Sequence, residues 1–140
     1  MKERFSHVVG VCGIVFNEEG KLLLMKHKKK TPWYGYWIVP GGKLEFSESL
    51  EDCIRREIKE EFGIEIKIEK LVTALVSKES EKVKRPIVLI FFLSKALSNE
   101  LKIKEDEVEE AGWFSLEEIE RMNLHEDTLL ALEKAGLLSR

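Results

Sequence analysis

The chain has 140 residues, 23 of them Lys or Arg and 26 Asp or Glu, with a formal charge of −3. A chain of this length buries roughly two thirds of its unfolded surface, so a single domain over residues 1–140 with its own core is expected. The slightly acidic balance argues against a general nucleic-acid binder, which would carry a basic face. No window approaches the ~18 consecutive apolar residues of a membrane span, and the charged amino-terminal segment has no cleavable leader pattern. Together these point to a soluble, cytoplasmic protein without a membrane partner. Cys12 and Cys53 are far apart in apolar surroundings and read as small core residues, not as a metal knuckle or a disulfide framework.

From His7 to Phe16 the run HVVGVCGIVF is apolar on both parities, the pattern of a strand covered on both faces. Asn17-Glu18-Glu19-Gly20 then turns the chain into KLLLMKH, so a hairpin opens the domain. A loop, KKKTPWYGY, leads to a short strand expected around Trp37 to Val39 and broken by Pro40-Gly41-Gly42. Between Ser49 and Phe62 there is no Gly or Pro, and apolar residues recur at Leu50, Cys53, Ile54, Ile58 and Phe62. Gly63 stands at the stop position of this main helix. Ile64, Ile66 and Ile68 alternate with charged residues and continue into LVTALV as a strand. A polar turn, SKESEKVKR, precedes the apolar run PIVLIFFL, expected to be an interior strand. After the acidic connection KEDEVEE come a short strand through Trp113 and Phe114 and a helix to about Met122. Ser115 and Glu118 form a capping box at the start of that helix. A last helix runs from about Glu126 to Ala135 and stops at Gly136. This order implies an α+β fold, a mixed sheet with helices on both sides.

On a helical wheel with Glu57 at zero, Glu60 falls at about −60° and Glu61 at about +40°, so three carboxylates share one arc. Leu50 and Cys53 fall at about +20° and −40°, which places the acids on the stripe that the helix turns inward. Like charges three and four residues apart destabilise a helix by about 0.2–0.5 kcal/mol per pair, and desolvation adds to that, so a cation should compensate. Arg56 can pair with Glu60, but one guanidinium cannot neutralise three acids. A divalent, oxygen-seeking ion such as Mg²⁺ or Mn²⁺ can.

The segment GGKLEFSESLEDCIRREIKEEFGI matches the pattern G-x5-E-x7-R-E-U-x-E-E-x-G-U, U being aliphatic. The fixed positions are Gly42, Glu48, Arg56, Glu57, Ile58, Glu60, Glu61, Gly63 and Ile64. Its chance occurrence, from the chain's own residue frequencies, is on the order of 10⁻⁶. This is the Nudix box, and over residues 41–64 the chain resembles the Nudix hydrolases; Trp37 to Pro40 and the segment Trp113 to Glu118 are similar more loosely. Ser47 stands where many members carry Gly.

The resemblance implies an α/β/α sandwich and metal-dependent hydrolysis of a nucleoside diphosphate linked to another group. Glu57, Glu60 and Glu61 would hold Mg²⁺ or Mn²⁺, and one of them, or a glutamate from another loop, would be the base. Arg56 would orient the glutamates, or serve only as a surface ion-pair partner. Glu48 would support the loop and helix start, either through the metal's water shell or in a purely structural role. Gly41 and Gly42 would allow close backbone approach, with the Gly41 carbonyl a further ligand. Gly63 would close the helix. A fourth acid is expected from Glu105 to Glu110, its register open. The independent physics agrees, since bound cations neutralise a diphosphate and lower the pKa of a coordinated water.

Outside the box the residues say less. Lys26 and His27 could contact phosphate or simply be a solvated strand end. Lys28, Lys29 and Lys30 could draw in an anion or form a flexible basic loop. Trp33 and Tyr34 could stack on a base or sugar, while Trp37 fits the core. His7 and His125 have no neighbours suggestive of chemistry. The leading expectation is a pyrophosphohydrolase of a small nucleotide, such as an ADP-ribose-like nucleotide sugar or a nucleoside triphosphate. A non-catalytic regulatory Nudix domain would be expected to lose box carboxylates, and an RNA-processing member would want a basic channel. The sequence leaves a homodimer open.

Lys and Glu supply most of the charge, only three Asn occur and Gln is absent, a bias typical of proteins from hot environments. The protein should therefore unfold above about 80 °C, and a calorimetric midpoint near 50 °C at neutral pH would remove the inference.

Overall fold

A computed structural model describes residues 7–139. Residues 1–6, on which the absence of a leader pattern was read, and residue 140 lie outside them. Six strands form one sheet: β1 (Val8–Phe16), β2 (Leu22–His27), β3 (Gly41–Lys43), β4 (Ile66–Val76), β5 (Ile87–Ala96) and β6 (Val108–Phe114). The helices are α1 (Leu50–Phe62), α2 (Ser80–Val83), α3 (Leu116–Ile119) and α4 (Glu126–Lys134). The sheet runs β4-β5-β1-β2-β6, with β3 paired to β1. β1 and β5 are parallel from Val8 opposite Ile87 to Phe16 opposite Lys95, and the other pairings are antiparallel.

The both-parity pattern of β1 has its cause in two cores. Val11 and Val15, with Leu23 and Met25 of β2, face Cys53, Ile54, Ile58 and Phe62 of α1. Cys12 and Ile14, with Leu22 and Leu24, face Ile119, Ala131 and Leu132 of α3 and α4. Each fully buried aliphatic or phenyl side chain contributes about 1.5–3 kcal/mol, so both helix layers are anchored by the same two strands. The expected mixed sheet with helices on both sides is thus the architecture found, and both cysteines are buried and free.

Helix α1 begins where Ser49 Oγ accepts the Asp52 N–H at 3.0 Å. It ends at Gly63, whose φ of 70° is left-handed and whose N–H donates to the Lys59 carbonyl. Three expectations need adjustment. Trp37 and Ile38 make only isolated bridges, to Leu124 and Met25, and the third strand is Gly41–Lys43 instead. The shift follows from sterics: a Cβ on Gly41 would lie 2.7 Å from the Val11 carbonyl oxygen, so glycine lets the backbone reach β1 where larger residues could not. The polar turn after β4 holds the short helix α2, and the strand at Trp113 starts earlier, at the buried Val108.

Candidate active site

Segment 38–43 wedges between β1 and β2, Ile38 exchanging backbone bonds with Met25 while Gly41 and Gly42 pair with Cys12 and Val11. That wedge carries the start of the box against α1. Gly42 abuts Glu57 so closely that an added Cβ would lie 2.0 Å from the Glu57 carboxyl carbon. Any side chain there would push the carboxylate away.

The three box carboxylates do not share one environment. The side chains of Glu57 and Glu60 are 16% and 52% exposed, whereas Glu61 as a residue is only 5% exposed. Arg56 lies across the outer two, Nη1 donating to Glu57 Oε1 and to Glu60 Oε1, each at 3.0 Å. Its Nε and Nη2 grip Glu48 at 3.0 and 2.8 Å, and Nη2 also donates to the Lys43 carbonyl at 3.3 Å. Glu48 further accepts the Glu45 N–H at 2.8 Å, and Arg56 and that amide hold its carboxyl down to about 2. Arg56 and Glu48 therefore tie the loop to the helix.

Glu61 has no such relief, and its Oε1 is buried without a hydrogen-bond partner. Burial first, then the charges of Glu57, Glu107 and Glu60, push its carboxyl up to about 8. Burial also raises Glu57, opposed by Arg56. Glu107 is the member of the 105–110 stretch that reaches this group. Its place follows from backbone bonds: Lys104 N–H donates to the Glu61 carbonyl at 2.9 Å, Glu107 N–H to Lys104 O at 3.1 Å, and Lys28 N–H to Glu107 O at 3.0 Å. Glu57, Glu60, Glu61 and Glu107 could hold a divalent cation, and the orphaned oxygen of Glu61 fits that need. Among the described residues no three acid, imidazole or thiol groups already converge as a cage, and Arg56 bridges Glu57 and Glu60.

A cleft of about 210 Å³ adjoins β3. Gly41, Gly42 and Lys43 line one part, Cys12, Leu89 and Phe91 an apolar wall, and Trp33, Asp127 and Thr128 another side. Of the four residues expected at the substrate, His27 and Trp33 line it. Lys26 does not: its Nζ lies 5.2 Å over the Trp37 ring and 3.9 Å from Glu110. Tyr34 is 42% exposed and outside the lining. Trp37 packs edge-on to Phe114 at 5.1 Å, in the second core. Lys28 Nζ donates to the Glu105 carbonyl at 3.0 Å, so that end of the basic loop is pinned. His125, expected to do nothing, sits with Glu79, Ser77 and Asp127 in a buried network behind Trp33.

Because the folded carboxyl of Glu61 titrates near 8 and not at the ordinary 4.5, the metal-free fold holds a proton that the unfolded chain has already released. The stability that this proton contributes is fully present below 4.5 and declines as pH rises to about 8. Guanidinium unfolding in EDTA across this range should show Glu61→Gln flattening that decline. Equal pH slopes for variant and wild type would contradict it.

A family model described as the NUDIX domain matches residues 6–133. The ADP-ribose pyrophosphatase of Methanocaldococcus jannaschii is 31% identical over 122 residues, 87% of this chain and 70% of the relative. A nucleoside triphosphatase NudI from Enterobacter sp. is 28% identical over 136 residues, 91% of this chain and 96% of that one. Among solved structures, the MutT NUDIX hydrolase from Burkholderia pseudomallei superposes with a TM-score of 0.80 at 30% identity, covering 92% of this chain and 98% of its own. With the full box running from β3 through α1 to Ile64 and this sheet order behind it, the chain belongs to the NUDIX domain family and is a Nudix hydrolase.

Proposed function

We propose that the protein is a Mg²⁺- or Mn²⁺-dependent pyrophosphohydrolase cleaving the diphosphate linkage of a small nucleotide, with ADP-ribose-like nucleotide sugars the leading substrate class. The observation that carries this is the buried, partnerless oxygen of Glu61 among Glu57, Glu60 and Glu107, with Gly42 beside Glu57 also lining a cleft of about 210 Å³. The ADP-ribose pyrophosphatase of M. jannaschii supports the substrate. A nucleoside triphosphate is the second reading, favoured by the NudI relative that the chain matches over almost its whole length. Two buried free cysteines and the Lys- and Glu-rich composition support a reducing cytoplasm and a heat-adapted source.

When bound, the divalent cation neutralises the diphosphate and makes water a better nucleophile at neutral pH. Glu57, Glu60, Glu61 and Glu107 would hold it, with the Gly41 carbonyl a further oxygen on the loop. Arg56, fixed by Glu48, orients Glu57 and Glu60 and keeps the loop against the helix. One glutamate of the set takes the proton from the attacking water. His27, whose pKa burial lowers, is suited to meet phosphate oxygens as a neutral donor at the cleft's edge. Trp33 offers its ring to the base.

Hydrolysis should stop in EDTA and return with Mg²⁺ or Mn²⁺. Glu57→Gln and Glu61→Gln should each lower kcat by at least ~10²-fold, each removing a ligand or a base. A phosphate-release screen over nucleotide sugars, dinucleoside polyphosphates and nucleoside triphosphates, with product analysis, separates the two substrate readings. Near wild-type turnover of both Gln variants at saturating metal would sink the assignment.

A further inference from the structure

The network behind the cleft joins three segments far apart in sequence. Trp33 Nε1–H donates to Asp127 Oδ2 at 2.9 Å, the Ser77 hydroxyl donates to the same oxygen, and the Lys78 N–H donates to Oδ1 at 2.9 Å. The Asp127 N–H donates to His125 Nδ1 at 3.0 Å, which leaves the imidazole proton on Nε2, 2.6 Å from Glu79 Oε2. Glu79 N–H returns to Ser77 Oγ at 3.0 Å, closing the circuit. The adjacent Thr128 Oγ1 accepts the Val39 N–H at 3.2 Å, tying the same helix start to the segment that leads into Gly41 and Gly42.

Asp127 is 2% exposed, so its charge is stripped of water and held only by these donors. Its oxygens are occupied by protein, which suits them to hold a protein group in place better than to read a ligand. The one side chain in the circuit that is also an aromatic wall of the cleft is Trp33, whose ring additionally tilts against the His125 ring at 6.3 Å, so that the Asp127 bond and the imidazole hold it from the same network. An indole has a single polar atom, and a bond at that atom sets the ring's orientation. Stacking energy depends on that orientation, and a ring held in place before binding avoids the ordering cost on binding.

We infer that Asp127 is a positioning residue for substrate binding, using the Trp33 indole N–H to hold that ring as a preset stacking wall for the nucleobase. The Ser77, His125 and Glu79 circuit keeps Asp127 itself in register. The inference rests on the cleft being the nucleoside pocket, and it adds a residue outside the box on which affinity depends. Turnover should depend on it little, because none of Glu57, Glu60, Glu61 and Glu107 lines the part of the cleft that Asp127 and Trp33 wall.

The test compares Trp33→Ala, Trp33→Phe, Asp127→Asn and the Trp33→Ala/Asp127→Asn double variant on ADP-ribose and a nucleoside triphosphate with Mg²⁺. Loss of an aligned stacking partner predicts that Asp127→Asn and Trp33→Phe each raise KM about 5- to 30-fold while kcat falls less than about threefold. On the Trp33→Ala background, Asp127→Asn should add less than about twofold, because no ring is left to position. An equal rise in KM with and without the Trp33 ring would make Asp127 a general structural residue and overturn the inference alone. Should Asp127→Asn fail to fold, Trp33→Phe with wild-type KM overturns it equally. Wild-type KM in Trp33→Ala for both substrates would remove the cleft as the nucleoside pocket and this inference with it.

Discussion

A carboxylate that the fold removes from water, with one oxygen left without a partner, sets the terms for the rest of this structure. Glu61 is buried under the loop between β5 and β6, and three other glutamates add their charge to it. An unsatisfied buried polar group costs about 1–3 kcal/mol, more when charged, and an ordinary helix would turn such a residue outward. The helical register forbids that turn. Ile54, Ile58 and Phe62 must face the sheet, and Glu57 and Glu61 stand one position ahead of Ile58 and Phe62 on the flank of that stripe.

Several features make sense as consequences of that constraint. Gly42 lacks a side chain where Glu57 needs the space. Arg56 compensates the two outer acids and is locked to Glu48, but its guanidinium has no hydrogen bond to Glu61. The Lys104 to Glu107 turn adds an acid where charge balance alone would favour a lysine. A site that stabilised only the protein would neutralise this cluster internally. In the proposed function, a cation and, with it, an anionic substrate supply that missing compensation.

Much of this was legible in the sequence because it is local. The helix limits at Ser49 and Gly63, the Arg56 to Glu60 pair and the crowded acids on one arc depend only on spacing along one helix. The both-face burial of β1 was likewise written in its unbroken apolar run. What spacing could not supply is long-range. Glu107 was one of several equivalent acids until the bond from Lys104 to the end of α1 chose the register. Asp127, His125 and Ser77 read as an exposed helix start and a polar turn, and only tertiary contact across 94 residues joins Asp127 to Trp33. A weak signal existed in His125-Glu126-Asp127-Thr128, a polar run preceding an apolar helix, but it reads equally well as an ordinary cap. The third strand lies a few residues beyond Trp37 to Val39, because glycine's ability to approach a neighbouring backbone outweighs the strand preference of those residues.

On the proposed function, the buried Glu61 carboxyl, which burial and the neighbouring acids push up to about 8, gives up its proton when a divalent cation binds. Calorimetric titration of Mn²⁺ into metal-free protein at pH 7, repeated in two buffers of different ionisation enthalpy, counts the protons released on binding. With the carboxyl titrating near 8, binding should release close to one proton per site, and Glu61→Gln should abolish that release. Tight Mn²⁺ binding with no proton release, or the same release from Glu61→Gln, would contradict the account.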